Sequence, residues 1–161
     1  MAFTDLLRTT VLLTAGSATA LAAVTALAAN REDDTLTLLV AAGWWTIALI
    51  AGLILGRPAR AAEAMSPVLS GARTTSALPE NERPGQALAR LWPIGLFALV
   101  AGGLGFVFPG VSAIGTGFAL AAALAWRARE AAVTAIEDRD GVRFYVEPGS
   151  ALQPVKLVRS P

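Results

Sequence analysis

The feature that most constrains this chain is a run of thirty-six residues without a charged side chain, from Leu91 to Trp126. One helix of that length would be about 54 Å long, whereas the hydrocarbon core of a bilayer is about 30 Å thick. Pro109 removes a backbone donor and disfavours a helical conformation at the residue before it, and Gly110 favours a turn. We therefore predict two membrane spans, at about residues 88–108 and 111–127, joined by a hairpin turn at Pro109 and Gly110.

Two earlier segments, residues 9–29 and 36–56, each contain 21 uncharged residues and have the length of further spans. The polar sequence NREDD separates them, and Thr35 is positioned to cap the second helix. Composition agrees, since 55% of the residues are hydrophobic and only 16% are charged. The sequence predicts an all-α integral membrane domain over residues 1–130, a four-transmembrane-helix bundle made of two antiparallel helical hairpins.

Basic residues indicate the orientation. Of the 13 Lys and Arg, only Arg31 lies in the first connection; the others precede the first span, lie between residues 57 and 90, or follow the last span. Because cytoplasmic loops carry an excess of Lys and Arg, we expect both termini and the 57–87 loop in the cytoplasm, with the protein in the cell (plasma) membrane. Trp92 and Trp126 agree, because they lie at the cytoplasmic ends of their spans, at headgroup depth.

The first span also has the ingredients of a cleavable signal peptide, including the small-residue sequence ALA at residues 26–28. Two features oppose that alternative. Asp5 offsets Arg8 in the charged region before the span, and the apolar run of 21 residues exceeds the usual length of about 7–15. We therefore interpret residues 9–29 as an uncleaved span.

Small residues recur in the spans at a spacing that lets helices approach closely. Gly52 and Gly56 form a G-x-x-x-G pair. Three further glycines each follow an alanine by four positions, namely Gly102, Gly105 and Gly117. We interpret all five as helix-packing positions within one bundle. A homodimer contact at Gly52 and Gly56 is the alternative.

The interior of the predicted spans contains no charged residue, so the usual mark of a proton relay or ion pathway is missing. The hydroxyls of the first span are expected to bond back to the preceding helical turn. A polar path for a neutral or lipidic substrate is the alternative, lined by Trp44 and Trp45. The first interpretation is that the two indoles pack against neighbouring helices deep in the bundle. The hydroxyls in question are those of Thr10, Thr14, Ser17, Thr19 and Thr25.

The loop 57–87 contains four prolines, and we expect a short helix over residues 59–65 followed by an irregular connector. Soluble structure is expected only in the cytoplasmic tail, residues 131–161. There Val142, Phe144 and Val146 alternate with polar residues, Asp140-Gly141 is a hairpin signal, and a third short strand is expected after residue 154.

A two-stranded hairpin is marginal by itself, so the apolar face formed by Val142, Phe144 and Val146 needs a cover. The cover is either the third strand with the membrane-proximal chain, or another protein. On the second interpretation these three residues are candidate positions for partner docking.

Several classes of site are excluded by composition. With no Cys and no His, the chain has no thiolate or imidazole metal ligand, no Cys nucleophile and no His base. The carboxylates Glu137, Asp138 and Asp140 do not begin an EF-hand loop, since Val142 would occupy the fifth position, and we interpret them as turn formers. A single Lys and a net charge of +1 speak against a nucleic-acid partner. No catalytic residue, cofactor or metal is expected.

These observations predict a small multi-pass membrane protein that is not an enzyme. The expected role is a non-enzymatic subunit or scaffold that docks a cytoplasmic protein through its C-terminal tail. The alternative is an oligomeric small transporter or flippase subunit for a neutral or lipidic substrate, because four short helices enclose little space by themselves. The expected partners are the lipid bilayer, a cytoplasmic or membrane protein and, in the alternative, further copies of this chain.

Overall fold

The computed structural model describes residues 1–74, 85–151 and 153–160, which form five helices and three short strands. Three helices are long and apolar enough to cross a membrane, namely Phe3–Arg31, Thr35–Leu55 and Pro109–Asp140. A further apolar helix, Ala89–Gly105, is shorter. The prediction of a mostly helical, membrane-type chain with a small sheet is confirmed at that level. In chain order the elements are α1 (Phe3–Arg31), α2 (Thr35–Leu55), α3 (Pro58–Ser70), β1 (Arg73–Thr74), α4 (Gln86–Gly105), α5 (Pro109–Asp140), β2 (Arg143–Val146) and β3 (Leu157–Ser160).

The long uncharged run is divided between two helices. Helix α4 ends at Gly105, three residues connect it to α5, and Pro109 is the first residue of α5. The missing N–H of a proline is harmless at that position and its fixed φ suits the start of a helix. Gly110 is the second residue of α5 and has no positive φ, so the turn lies at residues 106–108 and not at Pro109 and Gly110 as predicted.

Helix α5 is the element on which the others pack, and it contacts α1, α2, α3 and α4. Its 32 residues correspond to about 48 Å, and the 29 residues of α1 to about 44 Å, so each exceeds the thickness of a hydrocarbon core. No Gly or Pro occurs between Gly117 and Gly141, and alanine is frequent there, which favours an unbroken helix. The predicted boundary between residues 130 and 131 therefore falls inside α5.

The start of α1 and the last part of α5 form an apolar core together with α3 and the sheet, which we call the sheet-side core. The three predicted docking residues, Val142, Phe144 and Val146, are all buried in it. Their cover is the chain itself, because the rest of this core comes from α1, α3, α5 and β3: Phe3, Leu6, Leu7, Met65, Val133 and Leu157. The face that was expected to dock a partner is therefore not exposed.

The predicted hairpin turn at Asp140-Gly141 is wrong. Gly141 has a φ of 63°, and its N–H donates to the carbonyl of Glu137, so it closes the C-terminus of α5. A glycine in the left-handed region serves equally in a hairpin turn and after the last residue of a helix. Ala, Arg and Glu, which favour helix, make up most of residues 127–137, and the helix that they form continues to Asp140.

The sheet has the strand order β1-β3-β2. β2 pairs antiparallel with β3, opposing Val146 to Leu157, and β3 pairs parallel with β1. The third strand expected after residue 154 is thus the central strand. The N-terminus joins the outer side of β2, where Val146 N–H donates to the carbonyl of Met1 at 3.0 Å.

The 57–87 loop is more ordered than predicted over its first part. Helix α3 continues past Met65 to Ser70, and it includes Pro67. Met65 is buried in the sheet-side core, which holds this helix against α5. The part of the predicted connector from residue 75 to residue 84 lies outside the described residues.

Truncation of the Phe144 side chain tests the sheet-side core. Phe144→Ala should lower the free energy of unfolding by about 3–5 kcal/mol, because it removes a buried ring and leaves a cavity. Arg143→Ala, one position away and exposed, should change it by less than about 0.5 kcal/mol. Denaturant titration in mild detergent measures both values, and equal stability of the two variants would contradict the burial of Phe144.

Candidate functional site

The predicted G-x-x-x-G pair of α2 lies against α5. A Cβ on Gly52 would lie 2.9 Å from Leu124 Cδ1 and 3.0 Å from Ala121 Cα, and one on Gly56 would lie 3.2 Å from the Leu124 carbonyl oxygen. Contacts this short require the absence of a side chain. The face that was considered for a homodimer is therefore occupied by a helix of the same chain.

The two tryptophans of α2 are fixed to α5 by hydrogen bonds. Trp44 Nε1–H donates to the carbonyl of Ile114 at 3.2 Å, and Trp45 Nε1–H donates to that of Ala113 at 2.9 Å. The ring of Trp44 also lies so close to Gly117 that a Cβ there would be 2.6 Å from Trp44 Cε2. These contacts account for the deep indoles as packing elements between α2 and α5.

Gly105 and Gly102 face α1 and the start of α5. A Cβ on Gly105 would lie 2.5 Å from Ser112 Cβ, and one on Gly102 would lie 3.6 Å from Leu21 Cδ2. Beside Gly105, the buried hydroxyls of Thr25 and Ser112 share a hydrogen bond of 2.9 Å between α1 and α5.

The hydroxyls of α1 behave as expected. Each of the five lies within hydrogen-bond distance of the carbonyl four residues earlier, as hydroxyls inside helices commonly do, and the donor of Thr25 is shared between that carbonyl and Ser112 Oγ. They are Thr10, Thr14, Ser17, Thr19 and Thr25, at 2.7–3.1 Å.

The carboxylates of the tail have structural roles. Glu137 is buried, and its Oε1 accepts a hydrogen bond from the N–H of Phe144 at 3.0 Å, which ties α5 to β2. Asp140 pairs with Arg139 at 2.8 Å, and this hydrogen bond holds the pKa of Asp140 below its usual value. Asp138, the third predicted turn former, is an exposed residue of α5. Within the described residues, no cluster of three or more acidic side chains could hold a metal ion.

An apolar groove that the sequence did not predict lies between α2, α3 and α5, at the end of the helices nearest the sheet. Its volume is about 660 Å³, within the range of ligand pockets. The end of α2 contributes Gly52 and Gly56 to its lining, Arg127 and Arg139 are its charged residues, and α5 contributes a stripe of small side chains: Ala128, Ala131, Ala132 and Ala135. The helical spacing of those alanines is the signal that could have indicated it.

A second cavity lies between the start of α4 and the chain that connects β2 to β3. It has a volume of about 330 Å³, and it is lined by Arg90, Lys156, Glu147 and the Pro148-Gly149 turn. Arg90 Nη1 is buried and has no hydrogen-bond partner among the described residues, while Nη2 makes only long hydrogen bonds, 3.5 Å to the carbonyl of Gln153 and 3.4 Å to that of Pro154. Burial lowers the pKa of Arg90, because desolvation disfavours its charged form.

No protein-family model matches this chain, and no curated protein or solved structure is similar to it. The features of the chain that bear on its function are the two cavities, the sheet and the exposed apolar side chains of the helices. Among these, the two cavities are the candidate binding sites.

The contact between Gly117 and Trp44 allows a direct test of the helix packing. Gly117→Ala should destabilise the chain by about 1–3 kcal/mol, because the new methyl group overlaps the indole. Gly103→Ala is the matched control, since nothing lies within 4 Å of a Cβ at that position. Thermal unfolding in detergent compares the two.

A double variant makes the test specific. Adding Trp44→Leu to Gly117→Ala should restore part of the lost stability, because the two sites are in contact and their effects are not additive. If Gly117→Ala unfolds at the same temperature as Gly103→Ala, α2 does not approach α5 closely at Gly117.

Proposed function

We propose that this chain is a four-span protein of the cell membrane that acts as a non-enzymatic subunit or scaffold and presents its sheet to a cytoplasmic partner. In this arrangement α1, α2, α4 and α5 form the membrane bundle. Both termini, the 57–87 loop and the sheet then lie on the cytoplasmic side.

The apolar perimeter of the helices supports the membrane part of the proposal. Large apolar side chains are exposed along α1, α2, α4 and α5, among them Leu39, Leu53 and Leu99, each more than 60% accessible. Such a surface is unfavourable in water and suits lipid. The uncharged residues 91–105 of α4 correspond to about 22 Å, and the apolar connection at residues 106–108 extends this segment across the rest of a hydrocarbon core.

The observation that carries the scaffold role is the continuity of α1 and α5 from the apolar bundle into the sheet-side core. Phe3, Leu6 and Leu7 of α1 and Val133 of α5 are buried against the strands. Because both helices are unbroken, the sheet is held at a fixed distance and orientation relative to the bundle. This arrangement suits a platform that holds a partner in place.

Since the Phe144 face is covered, docking through the tail must use the other face of the sheet. Tyr145 and Val158 oppose one another in the β2–β3 ladder and are half-buried, and Arg73 is the neighbour of Val158 in β1. Arg143, two positions before Tyr145 in β2, is exposed on the same face. An aromatic and aliphatic centre with arginines around it fits a protein partner with an acidic face.

The groove between α2, α3 and α5 favours a second candidate function. About 660 Å³ of mostly apolar space beside Leu53 and Leu124, bordered by Arg127, fits a lipidic substrate with an anionic headgroup. An oligomeric transporter or flippase subunit would use such a groove at its lipid-facing side.

The proposed topology predicts which positions react with an impermeant thiol reagent in intact cells. Because the chain has no cysteine, single substitutions give an unambiguous signal. Glu32→Cys and Gly110→Cys, both at exposed positions, should be labelled, whereas Ala59→Cys and Ser150→Cys should be labelled only after the membrane is opened. The reverse pattern would invert the topology, and labelling of all four in intact cells would remove the membrane assignment.

Photocrosslinking separates the two candidate functions. A photoreactive phenylalanine analogue at Tyr145 should form an adduct with a different protein, and Arg73→Glu combined with Arg143→Glu should reduce that adduct at least about tenfold. Arg57→Glu combined with Arg60→Glu, two exposed positions at the start of α3, is the charge-matched control and should leave it unchanged. If the Tyr145 probe forms no protein adduct while a probe at Leu53 links two copies of this chain, the oligomeric alternative is correct.

A further inference from the structure

The cavity beside Arg90 is lined by a cation that has no carboxylate partner within residues 1–74, 85–151 and 153–160. The buried Nη1 lacks a hydrogen-bond partner among the described residues, and the two contacts of Nη2 are to carbonyl oxygens at 3.4 and 3.5 Å, long for hydrogen bonds. The guanidinium is only partly buried, but its Nη1 is shielded from water, and a shielded polar group without a partner is unfavourable. An anion in the adjoining space would remove this penalty.

The other charged groups of the cavity give it a net positive character. Lys156 lies on its wall together with Arg90, and Glu147 is the one carboxylate among the lining residues. Within the part of the chain that the structure describes, the one ion pair is that of Arg139 with Asp140, so Glu147 does not neutralise Arg90. With a volume of about 330 Å³, the space accommodates more than a single ordered water molecule.

The position of Arg90 indicates which anion the cavity would meet. Arg90 directly precedes the uncharged run that begins at Leu91, and the next aromatic residue, Trp92, is 49% exposed. In the proposed topology this places the cavity at headgroup depth, on the cytoplasmic side, where phosphate groups of lipids are the most concentrated anions. A planar guanidinium can donate two parallel hydrogen bonds to phosphate oxygens.

We propose that this cavity binds a phosphate-bearing anion, held between the Arg90 guanidinium and the Lys156 ammonium. The choice of phosphate rests on the proposed membrane position of α4, whereas the need for an anion rests on the unpaired guanidinium alone. The phosphate is that of an anionic lipid headgroup or of a soluble phosphate compound. Loss of this site would leave the partner-docking proposal intact, because that proposal rests on Tyr145, Arg73 and Arg143, none of which lines this cavity.

The test uses the full chain in dodecyl maltoside. In one arm, native mass spectrometry counts bound phosphatidylglycerol against phosphatidylcholine; in the other, thermal unfolding is followed with increasing inorganic phosphate, with chloride at equal ionic strength as the control. We expect one tight phosphatidylglycerol adduct if the lipid is the ligand. A phosphate-specific rise in the unfolding temperature, without that adduct, identifies a soluble ligand.

The variants tie the binding to the cavity. Arg90→Gln and Lys156→Gln should each weaken it by about tenfold or more, the loss expected when a charge-assisted hydrogen bond is removed. Glu147→Gln should strengthen it, because the repelling carboxylate is removed. Arg60→Gln, exposed on α3, should have no effect.

A stability measurement without ligand distinguishes this role from a purely structural one. If Arg90 awaits an anion, Arg90→Gln should be at least as stable as the native chain in phosphate-free detergent, because the shielded and unpaired Nη1 is gone. A marked loss of stability would overturn the proposal. So would binding that is equal in the native chain and in Arg90→Gln or Lys156→Gln, or the absence of both phosphatidylglycerol and phosphate binding.

Discussion

The close approach of α1, α2 and α4 to α5 is the constraint on which the rest of the structure depends. At Gly52, Gly105 and Gly117 an added Cβ would overlap a neighbouring side chain or backbone atom. Close packing of this kind holds helices together in lipid, where the hydrophobic effect between helices is absent. With α5 fixed in this way, its continuation to Asp140 positions α3 and the sheet, and through them both cavities.

Much of the helical part could be predicted because it depends on local properties of the sequence. Apolar length, the absence of charges and the position of Pro109 define where the uncharged run divides, and the five glycines lie in close contacts with neighbouring helices or, at Gly102, beside Leu21. The backbone hydrogen bonds of the α1 hydroxyls follow from the same local rule. The hairpin turn was placed two to three residues late, since Pro109 and Gly110 start α5 and do not form the turn.

The tail could be predicted only in part, because its structure depends on contacts between residues far apart in the sequence. The alternation of Val142, Phe144 and Val146 indicates a strand with one apolar face, but it does not reveal that Phe3 and Leu7, at the other end of the chain, cover that face. Asp140-Gly141 is compatible with two local structures, and the helix propensity of the preceding residues decided between them. The sequence predicts neither cavity, since each is formed by segments that lie far apart along the chain.

In the proposed arrangement, the sheet is a platform that is complete within this chain and rigidly connected to the bundle. Hydrogen exchange of the isolated protein in lipid nanodiscs measures this most directly. The N–H of Phe144, bonded to the buried Glu137, and that of Val146, bonded to the carbonyl of Met1, should exchange slowly without any partner. Exchange of both amides at the rate of an unfolded chain, with protection only when another protein is bound, would show that the tail is completed by a partner and would contradict the account.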